Sequence, residues 1–252
     1  MGLFYFLNLT NQSINPNSMK ASLLLKGVFI FLIITGCSSN VEFSQEHIEQ
    51  TSGRYLYNLN EVIDVYYEDN KLYLKWKGAE KIKPVVLDEN TFFVADMYQK
   101  LRFVKHPKTK ERYLGVVSED DDSKVTYEYI KVTDSFKTPS MHLKAKNFEE
   151  AQKGFLELQK EDPQSPFLRE YDFNRLGYNY LRQEKFEDAI AVFNMNVALY
   201  PESDNVYDSL ADAYKRSGDS LEAYSNYKKA LELNSGNERA KEFVKGFEEN
   251  QN

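Results

Sequence analysis

The chain repeats itself at a spacing of 34 residues. Phe173, Leu176, Gly177, Tyr180, Ala189 and Phe193 recur as Tyr207, Leu210, Ala211, Tyr214, Ala223 and Tyr227. Matching residue types at one offset mark two copies of one supersecondary unit. A unit of that length cannot bury its own apolar face and has to stack on neighbours. Within each copy the apolar positions fall at helical spacing, which predicts a pair of helices. Small residues at Gly177, Ala189, Ala211 and Ala223 let paired helices approach, and the aromatic slots fill the space between pairs. Pro201 ends the second helix of the first copy. Gly218 falls in the turn of the second copy, where free φ is useful. Upstream, Phe148, Ala151, Phe155, Leu158 and Pro163 predict one helix of an incomplete unit. Downstream, Ala240, Phe243, Val244 and Phe247 predict a terminal helix.

This pattern resembles the tetratricopeptide repeat (TPR), which has an aromatic residue, Leu-Gly, Tyr, Ala, Phe and Pro at fixed offsets. Two positions depart from it: Asn196 stands where a small apolar residue is usual, and Ser235 where Pro is usual. The resemblance implies an all-α helical-repeat domain over residues 147–250 whose first helices line a concave face. Projected onto that face are Asn174, Tyr178, Leu181, Arg182, Asp208, Asp212, Lys215 and Arg216. Charges mixed with Tyr suit an extended peptide or protein segment as partner. The other reading is a solvated face, and both stand at this point.

Before the repeats, residues 53–133 carry short runs rich in β-branched and aromatic residues, separated by turn signals such as Glu68-Asp69-Asn70 and His106-Pro107-Lys108. Expected strands are Tyr55–Tyr57, Val62–Tyr67, Leu72–Trp76, Val85–Leu87, Phe92–Ala95, Leu101–Val104, Tyr113–Val117 and Val125–Val132. From Lys71 to Lys77 the apolar Leu72, Leu74 and Trp76 alternate with Lys71, Tyr73, Lys75 and Lys77, the mark of a half-buried antiparallel strand. The expected fold is therefore α+β and multidomain: a small antiparallel β barrel or sandwich, a linker at 134–146, then the TPR domain. The words Val65-Tyr66-Tyr67-Glu68-Asp69-Asn70-Lys71-Leu72-Tyr73, Glu89-Asn90-Thr91-Phe92-Phe93 and Leu101-Arg102-Phe103-Val104 resemble a β domain that follows β-lactamase-like serine hydrolases of Bacteroidetes. Asn174 to Tyr178 and Asn205 to Leu210 resemble the repeat tail of the same hydrolases. That resemblance brings no catalytic residues. It implies an accessory subunit acting in trans with an envelope hydrolase.

The N-terminal stretch reads as an address. Lys20 and Lys26 precede an apolar run from Val28 to Ile34, which is too short for a bilayer span of about 20 residues but long enough for a signal peptide. It ends in Ile34-Thr35-Gly36-Cys37, which resembles the lipobox of bacterial lipoproteins. By that resemblance Cys37 is the lipidated first residue of the mature protein, and several acyl chains would anchor it stably. Residues 1–37 are thus the signal region, with Met19 the expected start, and 38–52 a polar tether. Ser38 after the Cys fits the outer membrane of a cell envelope.

Composition narrows the function. A net charge of -7 with no basic stripe argues against nucleic acid as a partner. A single cysteine leaves no intramolecular disulfide. His47, His106 and His142 lack metal-ligand spacing, and Glu119-Asp120-Asp121-Asp122 lacks the spaced ligands of a calcium loop. Ser225-Asn226-Tyr227-Lys228 has the Ser-x-x-Lys form but lies inside a repeat helix with Tyr227 in a core slot. The expectation is a non-catalytic chain without metal or cofactor.

Overall fold

Alternating sequence becomes one antiparallel sheet of nine strands. They are β1 (Gly53–Asn58), β2 (Glu61–Glu68), β3 (Lys71–Trp76), β4 (Ala79–Ile82), β5 (Val85–Val86), β6 (Thr91–Val94), β7 (Gln99–Lys105), β8 (Arg112–Val116) and β9 (Tyr129–Val132). The computed structural model describes residues 41–250, so the signal region and Cys37 lie outside the described residues. Strand order is β4-β3-β2-β1-β9-β8-β7-β6-β5. The chain winds outward from β1 to β4 and returns from β5 to β9, which pairs with β1 through Arg54↔Val132, Tyr55↔Lys131 and Leu56↔Ile130. The sheet curls into a half-barrel, so of the two expected architectures the barrel is the one approached. β4 and β5 are its edges, and Pro84 between them has no N–H to give to a ladder.

The inner face carries Tyr55, Ile63, Val65, Leu72, Leu74, Phe92, Val94, Leu101, Phe103 and Leu114. Leu72 and Leu74 are buried and Trp76 half-buried, as the alternation requires. The hairpin between β2 and β3 turns on Asp69 and Asn70, both left-handed (φ 48° and 57°), and Asn70 also hydrogen-bonds the backbone of Phe43. Two expectations need correction. β4 was not foreseen, because Ala79-Glu80-Lys81 is an edge that faces solvent. Residues 125–128 are not strand beyond a single bridge from Val125 to Val117.

The expected tether also differs. Helix α1 (Gln45–Thr51) begins at Ser44, whose side chain accepts from His47 N–H, the N-cap arrangement. Phe43, His47 and Thr51 point into the half-barrel. Tyr55 Oη donates to Thr51 O at 2.8 Å, which fastens helix to sheet.

The C-terminal part is helical: α2 (Pro139–Lys144), α3 (Phe148–Glu161), α4 (Glu170–Arg182), α5 (Phe186–Leu199), α6 (Asp204–Ser217), α7 (Ser220–Leu233) and α8 (Glu238–Glu249). α4 with α5 and α6 with α7 are the two repeats. A left-handed residue makes each turn: Glu184 (φ 57°) in the first and Gly218 (φ 93°) in the second. Lys146 (φ 59°) makes the same turn between α2 and α3. The stretch read as a linker therefore contains the shortened first helix of an upstream pair. Among the described residues no helix is long and apolar enough to cross a membrane.

Candidate functional site: the face of the first repeat helices

Residues four apart share a helix face. Asn174, Tyr178 and Arg182 form a row on α4, and Asp208, Asp212 and Arg216 form the matching row on α6. Accessibility divides them. Asn174, Leu181, Asp208 and Asp212 are buried, Tyr178 is half-buried, and Arg182, Lys215 and Arg216 are exposed.

Leu181 departs from the expected groove. It is 3% exposed and packs with Phe193 and Leu210 between the repeats, where an apolar side chain contributes burial. Asn174 is also turned inward. Asn196 Nδ2 donates to Asn174 Oδ1 and to Glu170 O, each at 3.2 Å. The polar residue that breaks the repeat pattern at Asn196 is thus met by a polar partner.

The α6 row is held from α8. Asp208 Oδ1 accepts from Arg239 Nε at 3.1 Å and from Asn237 Nδ2 at 2.9 Å. Asp212 Oδ2 lies 3.0 Å from Arg216 Nη2 and 3.9 Å from Arg239 Nη1. Two nearly buried carboxylates are thereby neutralised by two guanidiniums that remain about half exposed. The Tyr227 phenol is fully buried nearby; burial pushes it up, and the Asp212 carboxylate adds to the rise. Tyr178 meets Phe193 edge-on at 5.2 Å, Arg182 donates to Asn179 Oδ1, and Lys215 Nζ sits 5.5 Å from the Phe243 ring. The face can offer guanidinium donors, held in place by buried carboxylates, beside an aromatic wall. Arg239 and Asn237 were missed in the sequence. The signal was there: Arg239 lies 34 residues after Asn205, which reaches back to Glu170 Oε1 at 2.7 Å.

Other candidates are placed as follows. Ser225 and Lys228 lie exposed on α7, with Lys228 Nζ 5.3 Å from the Tyr224 ring and Tyr227 in the core. In the acidic tip Asp121 Oδ1 accepts from Ser123, and Asp122 pairs with Lys100. His47 is buried under the half-barrel and His106 packs against Tyr127. Among the described residues no group of His, Cys, Asp and Glu could hold a metal ion.

Comparison with known proteins bears on the helical part. Residues 204–237 match the tetratricopeptide-repeat family. Those residues are α6, α7 and the loop to α8, so the match falls on the second TPR copy. No curated protein matches the chain. Among solved structures, it is similar to the first TPR of Spaghetti (RPAP3) bound to an HSP90 peptide, at 21% identity and TM-score 0.32 over 45% of this chain and 86% of that one. The first TPR domain of human RPAP3 gives 22% and 0.31 over 44% and 84%. MamA from MSR-1 gives 23% and 0.26 over 38% and 53%, so this chain spans about half of that protein's length.

Proposed function

We propose that the chain is a non-catalytic scaffold that holds a protein or peptide partner on the TPR face of α4, α6 and α8, tethered to a membrane of the cell envelope, the outer one, by lipid on Cys37. The observation that carries the binding half is the pair Arg216 and Arg239. Both are about half exposed; Arg239 is hydrogen-bonded to Asp208 and Arg216 is ion-paired with Asp212, and the two carboxylates are themselves nearly buried. Donors held in advance lose less freedom on binding than mobile ones. The tether rests on Ile34-Thr35-Gly36-Cys37 and the apolar run before it.

The test has two arms. Tyr178→Ala or Arg182→Ala weakens capture of the partner while helical circular dichroism is unchanged; equal capture by both variants removes the binding half. Cys37→Ala shifts the protein from the membrane to the soluble fraction; retention at the membrane removes the tether. A second reading, an accessory subunit for a β-lactamase-like envelope hydrolase, draws on the docking of the half-barrel onto the repeats, which makes them one transferable piece. Co-capture of such a hydrolase would move it to first place.

A further inference from the structure

The upstream helix pair is incomplete at a definite end. α4 has 13 residues and α6 has 14, and each runs the length of its 14-residue partner. α2 has six residues beside the 14 of α3. The turn into α3 is intact, so the missing turns are those at the start of α2. Thr138 caps that start by accepting from Met141 N–H, and Pro139 follows it, so the sequence itself stops the helix there. At 1.5 Å per residue the shortfall against α4 is roughly 10 Å, about two turns.

Beside the shortened helix, on the side facing α4, lies a cleft of about 570 Å³. Its walls come from α2 (Leu143), α3 (Phe155), the loop before α4 (Phe167) and α4 itself (Phe173, Leu176). Phe155 and Phe173 are nearly buried; Leu143, Phe167 and Leu176 remain half-exposed and form an apolar floor. The loop from 162 to 169, longer than the 200–203 loop between the two repeats, builds the wall that bears Phe167. Leu59, from the turn between β1 and β2, packs on the same apolar cluster and does not line the cleft.

The rim is positive. Arg169 and Arg175 share one carboxylate, Asp172, at 2.6 and 3.0 Å, and their side chains stay 67% and 60% exposed. One carboxylate between two guanidiniums leaves one positive charge over. Glu170, next to them in sequence, does not line the cleft; its carboxylate accepts from Asn205. The cleft borders the proposed groove without sharing its residues: Asp172, Leu176 and Asn179 lie more than roughly a quarter of a turn around α4 from Asn174 and Tyr178, while Arg175, seven residues before Arg182, stands at the edge between the two.

We propose that this cleft is a docking site for a short amphipathic helix of a partner protein, one that sets apolar side chains on the floor and an acidic side chain against Arg169 and Arg175, and so covers the half-exposed Leu143, Phe167 and Leu176. A helix presenting an apolar row suits a groove of this kind. The excess positive charge on the rim selects acidic over basic flanks. The site does not depend on the groove reading.

The test uses the full chain and a short alanine-based peptide with leucines at helical spacing flanked by glutamates. One twin carries lysines for the glutamates, and another has a central proline. The glutamate peptide binds saturably, gains helical circular dichroism, and shifts the amide resonances of Leu143, Phe167 and Leu176. Arg175→Glu weakens it by about tenfold and strengthens the lysine twin. Arg169→Glu, at a position outside any helix, gives the same exchange of preference and guards against a folding defect in the first variant. No saturable binding, equal binding of the two charge twins, or equal binding of the proline twin overturns the proposal. Shifts at Asp212, Lys215 and Arg216 instead would overturn it while leaving the groove reading intact.

Discussion

Asn60 and Ser140 exchange two hydrogen bonds across 80 residues of chain: Asn60 Nδ2 donates to Ser140 Oγ at 2.7 Å, and Ser140 N donates to Asn60 Oδ1 at 2.8 Å. Ser140 is in the first turn of α2, where a backbone N–H has no partner within the helix. A turn between two strands therefore caps the helix that opens the repeats. Arg54 adds to the joint. Its guanidinium is paired with Asp64 at 2.6 Å and also donates to Phe136 O at 2.5 Å. The half-barrel and the helices are fastened through polar contacts at a few points, with Leu59 packed beside them.

Asn60→Ala removes both bonds and leaves the Ser140 N–H without its acceptor. The expected loss is about 1–3 kcal/mol. Trp76 is the one tryptophan and sits on β3, so its fluorescence reports the sheet while far-ultraviolet circular dichroism reports mainly the helices. In the parent protein the two denaturation curves coincide; in the variant they separate. An unchanged midpoint would mean that the joint contributes nothing.

Gly177→Ala acts on the first repeat. A Cβ there would come within 2.5 Å of Phe193 Cε1 and Cζ, and Phe193 is fully buried. The ring has to leave its packed position, and overpacking of this kind costs about 1–3 kcal/mol. Thermal unfolding followed at the helix signal should fall accordingly. The equivalent pair of the second repeat, Ala211 and Tyr227, shares one core cluster, so the cost at Gly177 comes from where the Phe193 ring sits and not from the slot itself.

Acid is expected to destabilise the half-barrel through His47. Its side chain is 8% exposed, stacked on Phe43 at 5.3 Å and edged by Tyr67 and Phe103, with Nδ1 3.4 Å from Glu89 Oε1. Burial lowers its pKa most; the Glu89 carboxylate raises it and Arg112 lowers it. The unfolded chain, with an ordinary histidine near pKa ~6.5, takes up the proton first. This contribution to stability is therefore present above about pH 6.5 and lost as pH falls below it. The denaturation midpoint should drop between about pH 7.5 and pH 5.5, and His47→Gln should flatten that part of the dependence.

Much of this was legible in the sequence, for physical reasons. The repeats could be read because close helix approach demands small side chains at Gly177, Ala189, Ala211 and Ala223, and those recur with the period of the unit. β3 could be read because one face is wet and the other dry. α1 was hidden, since a seven-residue helix that buries two of its own residues, His47 and Thr51, leaves too little periodicity. α2 was hidden by being short. Within the site, the rows on α4 and α6 followed from helix geometry. The inward turn of Asn174 toward Asn196 and the reach of Arg239 to Asp208 did not, because they depend on how neighbouring helices stack.

The groove reading is tested most directly by photo-cross-linking in the native envelope. A photoreactive amino acid replaces Arg182 or Arg216, both exposed on the proposed face, and in a control replaces Lys153, exposed on α3. A discrete adduct from positions 182 and 216 that is absent from 153 is the result expected of a partner held on that face. Adducts from 153 alone, or the same adducts from all three positions, would contradict it.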